Sequence, residues 1–493
     1  MIDIQLASLT STTAIALLSG SSLEADAYAQ LMTARAQAVQ GGARALLLDL
    51  SAVRRIAPSG LGALVELAAS RGAPDLVFCG LSAEATAKVF RLGLDHALPL
   101  YVNQTKAIES PILTQHRLAG LRAVVLAAGK GTRAQPLTFT TPKAMFDILG
   151  ESVLVRILGH LARAGVGEVV VNTGHLAPEI AATLHGKRFG CMPVFLSAEG
   201  MHSAAGWQGI PLGSATTLGR MHADGNLHGD TLVICGDALF DIDIAAIYDQ
   251  HCRSGADVTI AAQSVSPDDI ERYGIIVADN TGRITSFQEK PSRADAQSTM
   301  ANTGIYLFSH RALACADTRA DKDIATHLLP AVMAQGLRMQ VFDQPFQWID
   351  IGCLRDYFRA LALGLAGGIN GVVPVGTQIG SGVWAGVHAR IVPGAFLQGL
   401  CHVGQDAEIC SGAELHGPVV IGAGAVIEGP CIIRSSVILP GTRVQAGTVV
   451  DQVIAGGGWV VKHADANGGL IQRQSMLGIV PVSASSIHDW AAE

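Results

Sequence analysis

Hydrophobic positions change rhythm along this chain, and the changes divide it into three stretches. From residue 1 to about 110, apolar runs alternate with amphipathic ones: TAIALLSG, the helical EADAYAQLMTARAQAVQ, the strand ALLLDL, the helical LGALVELAASRG and the strand LVFCG. The pattern predicts a small α/β domain. Residues 104–120, QTKAIESPILTQHRLAG, read as a connector. From 121 to about 362, strands such as AVVLAA, EVVVN, TLVICGD and DVTIAA alternate with helical runs, which predicts a mostly parallel, Rossmann-like sheet with helices on both faces. Sites in such sheets lie at the carboxyl ends of the strands.

After LAGGING at 365–371 the rhythm becomes six. Ile379, Ala385, Ile391, Leu397, Val403, Ile409, Leu415, Ile421, Ile427, Ile433 and Leu439 recur every sixth residue, and Val383, Ala389, Ala395, Cys401, Ala407, Ala413, Val419, Ala425, Cys431 and Val437 follow four positions behind. A period this strict predicts a solenoid over 371–460 whose short faces each bury one side chain. Residues 461–493 lose the period and are expected to form a cap or tail.

Composition narrows the function classes. A chain of 493 residues needs several cores, and 49% apolar against 15% charged residues is a globular balance. No apolar run approaches the roughly 18 residues of a membrane span. The net charge of −7, without any Lys/Arg-rich block, argues against a nucleic-acid surface. An N-terminus carrying Asp3, with no cationic start and no small-residue cleavage site, predicts no secretory signal. Nine cysteines without a C-x-x-C pair are expected to be buried thiols in a reducing cytoplasm.

The chemistry concentrates in AVVLAAGKGTRAQPLTFTTPKAM at 123–145, where an apolar strand runs into a glycine-rich loop followed by Arg133 and Lys143. Glycines let backbone N–H groups approach phosphate oxygens, and the two cations offset charge that develops as a phosphoryl group is transferred. Gly129, Gly131 and Ala134 also fit the dinucleotide pattern, but Pro136 and Pro142 interrupt the helix it requires. A P-loop fails because no Gly-Lys pair here is followed by Ser or Thr.

GKGTRAQPLT followed by TPKAM resembles the signature of the sugar-1-phosphate nucleotidyltransferases, with Ala134, Gln135 and Ala144 departing from the usual Leu-Arg and Pro. The resemblance implies that Leu126, Ala128, Gly129, Gly131 and Thr132 bind the nucleoside triphosphate and that Arg133 and Lys143 are catalytic. CGDALFDIDI matches the family's magnesium-binding GD, giving Asp237 as a metal and catalytic residue, with Asp241 and Asp243 left to the surface or to capping. WIDIGCLRDY matches Trp-x-Asp-x-Gly and makes Asp350 a second Mg²⁺ carboxylate, consistent with an ion that takes one or two carboxylates plus phosphate oxygens. YGIIVADNTGRITSFQEKPS and ANTGIYLF resemble the sugar-phosphate half, with Gly274, Glu289, Lys290 and Asn302 as contacts. PLGSATTL resembles the base-pocket segment, with Gly213 as the contact and GMHSAAGWQG before it as an insertion.

The implied reaction joins a nucleoside triphosphate to a sugar 1-phosphate and releases pyrophosphate. Mannose-1-phosphate guanylyltransferases are nearest in texture, and glucose-1-phosphate thymidylyl- or uridylyltransferases are the close alternative. ALLLDLSAVRRIAPSGLGALVELAA resembles STAS domains, which implies a phosphorylation site at Ser59 and a protein partner for residues 1–110; the competing reading is that Ser59 caps the helix beginning near Gly60. The hexads resemble a left-handed parallel β-helix. An acetyltransferase there would need a catalytic His, but His388, His402 and His416 fall at different phases and read as polar-face residues, leaving a scaffold that supports homo-oligomers. A non-catalytic signalling scaffold is the third class.

Overall fold

The computed structural model describes residues 2–8, 13–70, 72, 74–108, 110–204, 206–319, 321–462, 472–473 and 478–482. In the first unit the strands Ile2–Ser8, Thr13–Gly20, Ala45–Val53, Asp75–Cys79 and Leu100–Tyr101 lie in that order in one sheet. The first pair is antiparallel and the other pairs are parallel. ALLLDL is apolar on both faces, and both are covered. Leu46, Leu48 and Leu50 share a core with Leu31 and Leu64 from the helices Ala27–Gln40 and Pro58–Ala69. Ala45 and Leu47 share another with Ala107 and Leu113. The stretch 104–120 is therefore more than a connector, since its helices Gln104–Ile108 and Pro111–Arg117 close the sheet's second face.

Ser59 is not a helix cap. Pro58, whose fixed φ suits the first helical position, starts the helix, so the N-cap falls on Ala57 and Ser59 stands exposed one residue into the first turn.

In the central unit, Val194–Ala198, Glu168–Thr173, Arg122–Ala127 and Thr231–Cys235 run parallel; Met300–Phe308 is antiparallel to its neighbours, followed by Val258–Ser264 and Met339–Phe342. Period-two alternation sends Ala123 and Val125 into one core and Val124 into the other, as expected for strands buried on both faces. A separate two-stranded ladder, Ala238–Phe240 with Trp348–Asp350, stands beyond the carboxyl end of Thr231–Cys235.

The carboxyl-terminal unit is a stack of parallel strands in three sheets. Val383 pairs with Cys401, Cys401 with Val419, and equivalent ladders join Arg390 to Glu408 and Phe396 to Glu414, so each turn of chain lies on the one before. Val403, Ile409, Leu415, Ile421, Ile427 and Ile433 are fully buried, as the six-residue period predicts. The last member departs. Val437 pairs with Val420 and Ile438 with Ile421, which makes this turn one residue short; Ile438 takes the inward position, and Leu439 packs against the central unit's core. Ile379 is also displaced, lying 54% exposed on an antiparallel strand at the first edge. Of residues 461–493, Gln472–Arg473 and Ile479–Pro481 add antiparallel strands at the far end, and most of the rest lies outside the described residues.

This stack packs directly on the central unit. Val420, Val437, Ile454 and Val461 are buried in the same cluster as Phe146, Leu361 and Leu365, and Trp459 stacks at 6.0 Å on Phe139. His402 is buried rather than on a polar face, because the incoming segment covers it and its Nε2 donates to the Val375 carbonyl at 3.1 Å. His388 and His416 face Asp406 and Glu414 instead. Among the described residues no helix is long and apolar enough to cross a membrane.

Candidate active site

The glycine-rich loop leaves the strand Arg122–Ala127 at its carboxyl end and, broken by its prolines, forms only short 3₁₀ turns, Thr132–Ala134, Leu137–Phe139 and Lys143–Met145. Gly131 sits at φ +60°, and a Cβ there would lie 2.8 Å from Thr138 Cγ2, so the tight turn requires glycine. The Thr138 hydroxyl donates to the Gly131 carbonyl at 3.0 Å, and His175 Nε2 donates to the Thr138 carbonyl at 2.7 Å. The glycine-containing turn is thereby held in one shape.

The loop forms one wall of a cleft of about 440 Å³. Leu126, Ala128, Gly129, Gly131, Thr132, Arg133, Lys143, Gly213 and Asp237 all line it. Gly213, at φ +91°, begins the helix Ser214–Ala223. Its neighbour Ala215 donates its N–H to the Lys322 carbonyl at 2.8 Å, which brings Asp323 to the cleft.

Asp237 and Asp350 come from residues far apart in sequence and meet across the short ladder, where Ala238 is opposite Asp350 and the Ile351 N–H donates to the Asp237 carbonyl at 3.1 Å. Lys143 Nζ lies 2.6 Å from Asp237 Oδ2. Arg133 joins at Gly352, where a Cβ would lie 2.8 Å from Asp350 Oδ2 and 3.7 Å from Arg133 Nη1. Burial, and after it the charge of Asp237, push the Asp350 carboxyl up to about 6, against the pull of Lys143 and Arg133. Two carboxylates that repel one another, one of them lining the cleft, are a donor set suited to a hard divalent cation. Asp243 caps the helix Ile244–Ser254, accepting from Ala245 and Ala246 N–H groups, and Asp241 accepts from the Gln347 N–H, so neither belongs to this pair.

The expected sugar contacts cluster beside it. Gly274 pairs with Glu289, and a Cβ on Gly274 would lie 3.1 Å from Glu289 Oε2 and 4.0 Å from Asn302 Cβ. Asn302 Nδ2 donates to the Tyr306 hydroxyl at 2.9 Å. Lys290 is half-exposed, with φ +45°, and holds Glu289 at 3.4 Å; none of Gly274, Glu289, Lys290 and Asn302 is among the residues lining the cleft.

Glu199, Asn172, Thr217 and Asp323 are cleft residues that escaped the sequence reading. Glu199 is 8% exposed and both its oxygens are occupied: Asn172 Nδ2 (2.9 Å) and the Thr217 hydroxyl donate to Oε1, and the Leu212 N–H donates to Oε2 at 2.9 Å. This buried carboxylate ties the strand ending at Thr173 to the segment PLGSATTL. The inserted GMHSAAGWQG forms a hairpin, Gly200–Ser203 with Gly206–Gly209, pinned where Trp207 Nε1 donates to the Gly174 carbonyl at 2.8 Å.

Comparison with known proteins gives the same picture. The Nucleotidyl transferase family profile matches residues 122–365. A UTP–glucose-1-phosphate uridylyltransferase of Synechocystis sp. is 35% identical over 61% of this chain and 78% of its own, and a mannose-1-phosphate guanylyltransferase of Mycobacterium tuberculosis is 30% identical over 67% and 83%. The crystal structure of HddC from Yersinia pseudotuberculosis aligns at 24% identity over 49% of this chain and 97% of its own, with a TM-score of 0.40. Arg133, Lys143 and Asp237 line one cleft, Asp350 stands next to Asp237 across the short ladder, and with the Synechocystis and Mycobacterium relatives this identifies a member of the nucleotidyl transferase family and a sugar-1-phosphate nucleotidyltransferase.

Proposed function

We propose that the enzyme transfers a nucleotidyl group from GTP to mannose 1-phosphate with Mg²⁺, releasing pyrophosphate. The meeting of Asp237 and Asp350 beside Lys143 and Arg133 carries this reading. Asp237 and Asp350 would hold Mg²⁺, which would supply positive charge against the phosphates. The sugar phosphate already bears a nucleophilic oxygen, so no base is required; the oxygen attacks the α-phosphorus in line and pyrophosphate departs. Lys143 and Arg133 stabilise the charge at that centre, the loop N–H groups hold the triphosphate, Gly213 faces the base, and Gly274, Glu289 and Asn302 position the sugar. Lys290 would swing from Glu289 to the sugar's phosphate.

The choice of GTP and mannose 1-phosphate is supported by the Mycobacterium relative and by EKPSRADAQSTMANTGIYLF. The Synechocystis relative favours UTP with glucose 1-phosphate as the second reading. Pyrophosphate release across a grid of nucleoside triphosphates and sugar 1-phosphates separates them: the highest kcat/KM is expected for GTP with mannose 1-phosphate, and a maximum at UTP with glucose 1-phosphate overturns that choice. In the same reading the carboxyl-terminal stack is a left-handed β-helix that supports homo-oligomers, the enzyme works in the cytoplasm, and the first unit is a STAS-like domain docking a protein partner, with exposed Ser59 as its phosphorylation site.

A further inference from the structure

A second cavity, of about 370 Å³, shares no lining residue with the catalytic cleft. The helix Val153–Ala164 presents Arg156, His160 and Arg163 to it at i, i+4 and i+7, a single helical face, and Lys187 and Arg188 complete its rim beyond the helix Ala177–Leu184. Among the described residues Arg163, Lys187 and Arg188 have no carboxylate within ion-pair distance.

Arg156 is different in kind, because its side chain is only 11% exposed. One Nη donates to the Ile148 carbonyl at 2.6 Å and the Val373 carbonyl at 3.4 Å, and the other lies 3.5 Å from Glu151 Oε2. Its guanidinium stays charged at the cavity wall, with a single carboxylate at 3.5 Å set against it. The cavity's other carboxylate, Asp241, is already engaged by the Gln347 N–H (2.6 Å) and Asn370 Nδ2 (2.7 Å), so it does not answer the cations. A chain of net charge −7 thus keeps four basic side chains around one hollow whose remaining walls include Phe189 and Phe240.

We propose that this cavity is a binding site for a small phosphate-bearing anion, its charge held by Arg156, Arg163, Lys187 and Arg188 and its body resting against Phe189 and Phe240. Arginine forks match phosphate oxygens bidentately, and the two rings give an ester's organic part an apolar seat.

Inorganic phosphate titrated calorimetrically into the full chain tests this, with the catalytic cleft and the cavity disabled separately. Wild type and Lys143→Ala are expected to retain saturable binding at the cavity, whereas Arg163→Ala/Arg188→Ala binds about tenfold or more weakly. Its phosphate-free Tm should be unchanged, since both side chains are exposed; if that variant unfolds, Lys187→Ala/Arg188→Ala serves the same comparison. Absence of saturable binding in wild type overturns the proposal, as does binding lost in Lys143→Ala and kept in the cavity variants.

Discussion

Lys143 joins the signature loop to the carboxylate pair, with its ammonium 2.6 Å from Asp237 in a largely buried setting. On the proposed mechanism, removing it would take a positioned cation from the reacting phosphate and leave two carboxylates less compensated. Lys143→Ala is expected to lower kcat by roughly 10²–10³, the scale for losing one preorganised electrostatic donor; a steady-state rate equal to wild type would remove it from the reaction. Asp350 makes the complementary prediction about stability. Its carboxyl is raised from 3.8 to about 6 on folding without metal, so the native state holds the proton more tightly. The stability it contributes is complete below about 4 and is lost as pH rises through about 6, a difference of at most about 3 kcal/mol. Asp350→Asn should therefore stabilise the metal-free protein at pH 7.5 but not at pH 4, as urea unfolding with a chelator would show.

At the scale of elements, the sequence made the strand-end carboxylates readable and hid the ones that organise the cleft. Asp237 follows TLVIC in a motif whose chemistry is written in its neighbours, and Trp348–Asp350 carries its own signature. Glu199 has no such flag: it closes an ordinary strand-like run, and only the fold reveals that Asn172, Leu212 and Thr217 all donate to it. Glu199→Ala would strand those donors, at about 1–3 kcal/mol for each buried group left unpaired. The expected result is a KM for the nucleoside triphosphate raised about tenfold or more, with KM for the sugar phosphate unchanged; equal changes in both would show a general loosening. The hexad period likewise showed the stack but not its slip, because a turn one residue short exchanges Leu439 for Ile438 within an apolar pair and leaves the composition untouched. The helices of 104–117 were illegible for a different reason: each is short, and what fixes them is the uncovered face of a sheet formed much earlier in the chain.

Across the whole molecule, the distribution of cores predicts how it comes apart. The two clusters of the first unit extend no further than Leu113, whereas Leu118 already belongs to the central cluster that also takes in Val420, Val437, Ile454 and Val461. Calorimetry should show the central unit and the stack melting together and the first unit separately. Val461→Asp places a charge where exposure is 0%, and should lower the shared transition by about 3 kcal/mol or more while leaving the first unit's transition in place.

The central claim is that Asp237 and Asp350 serve one divalent cation at the nucleotide's phosphates, and the Mg²⁺ dependence of product formation tests it most directly. Wild type should require Mg²⁺ and saturate with it, while Asp237→Asn and Asp350→Asn each lose about 10³-fold or more in rate, and the double variant loses little beyond either, as expected of residues acting as a unit. Full activity in a chelator, or a near-normal rate in either single variant, would contradict it.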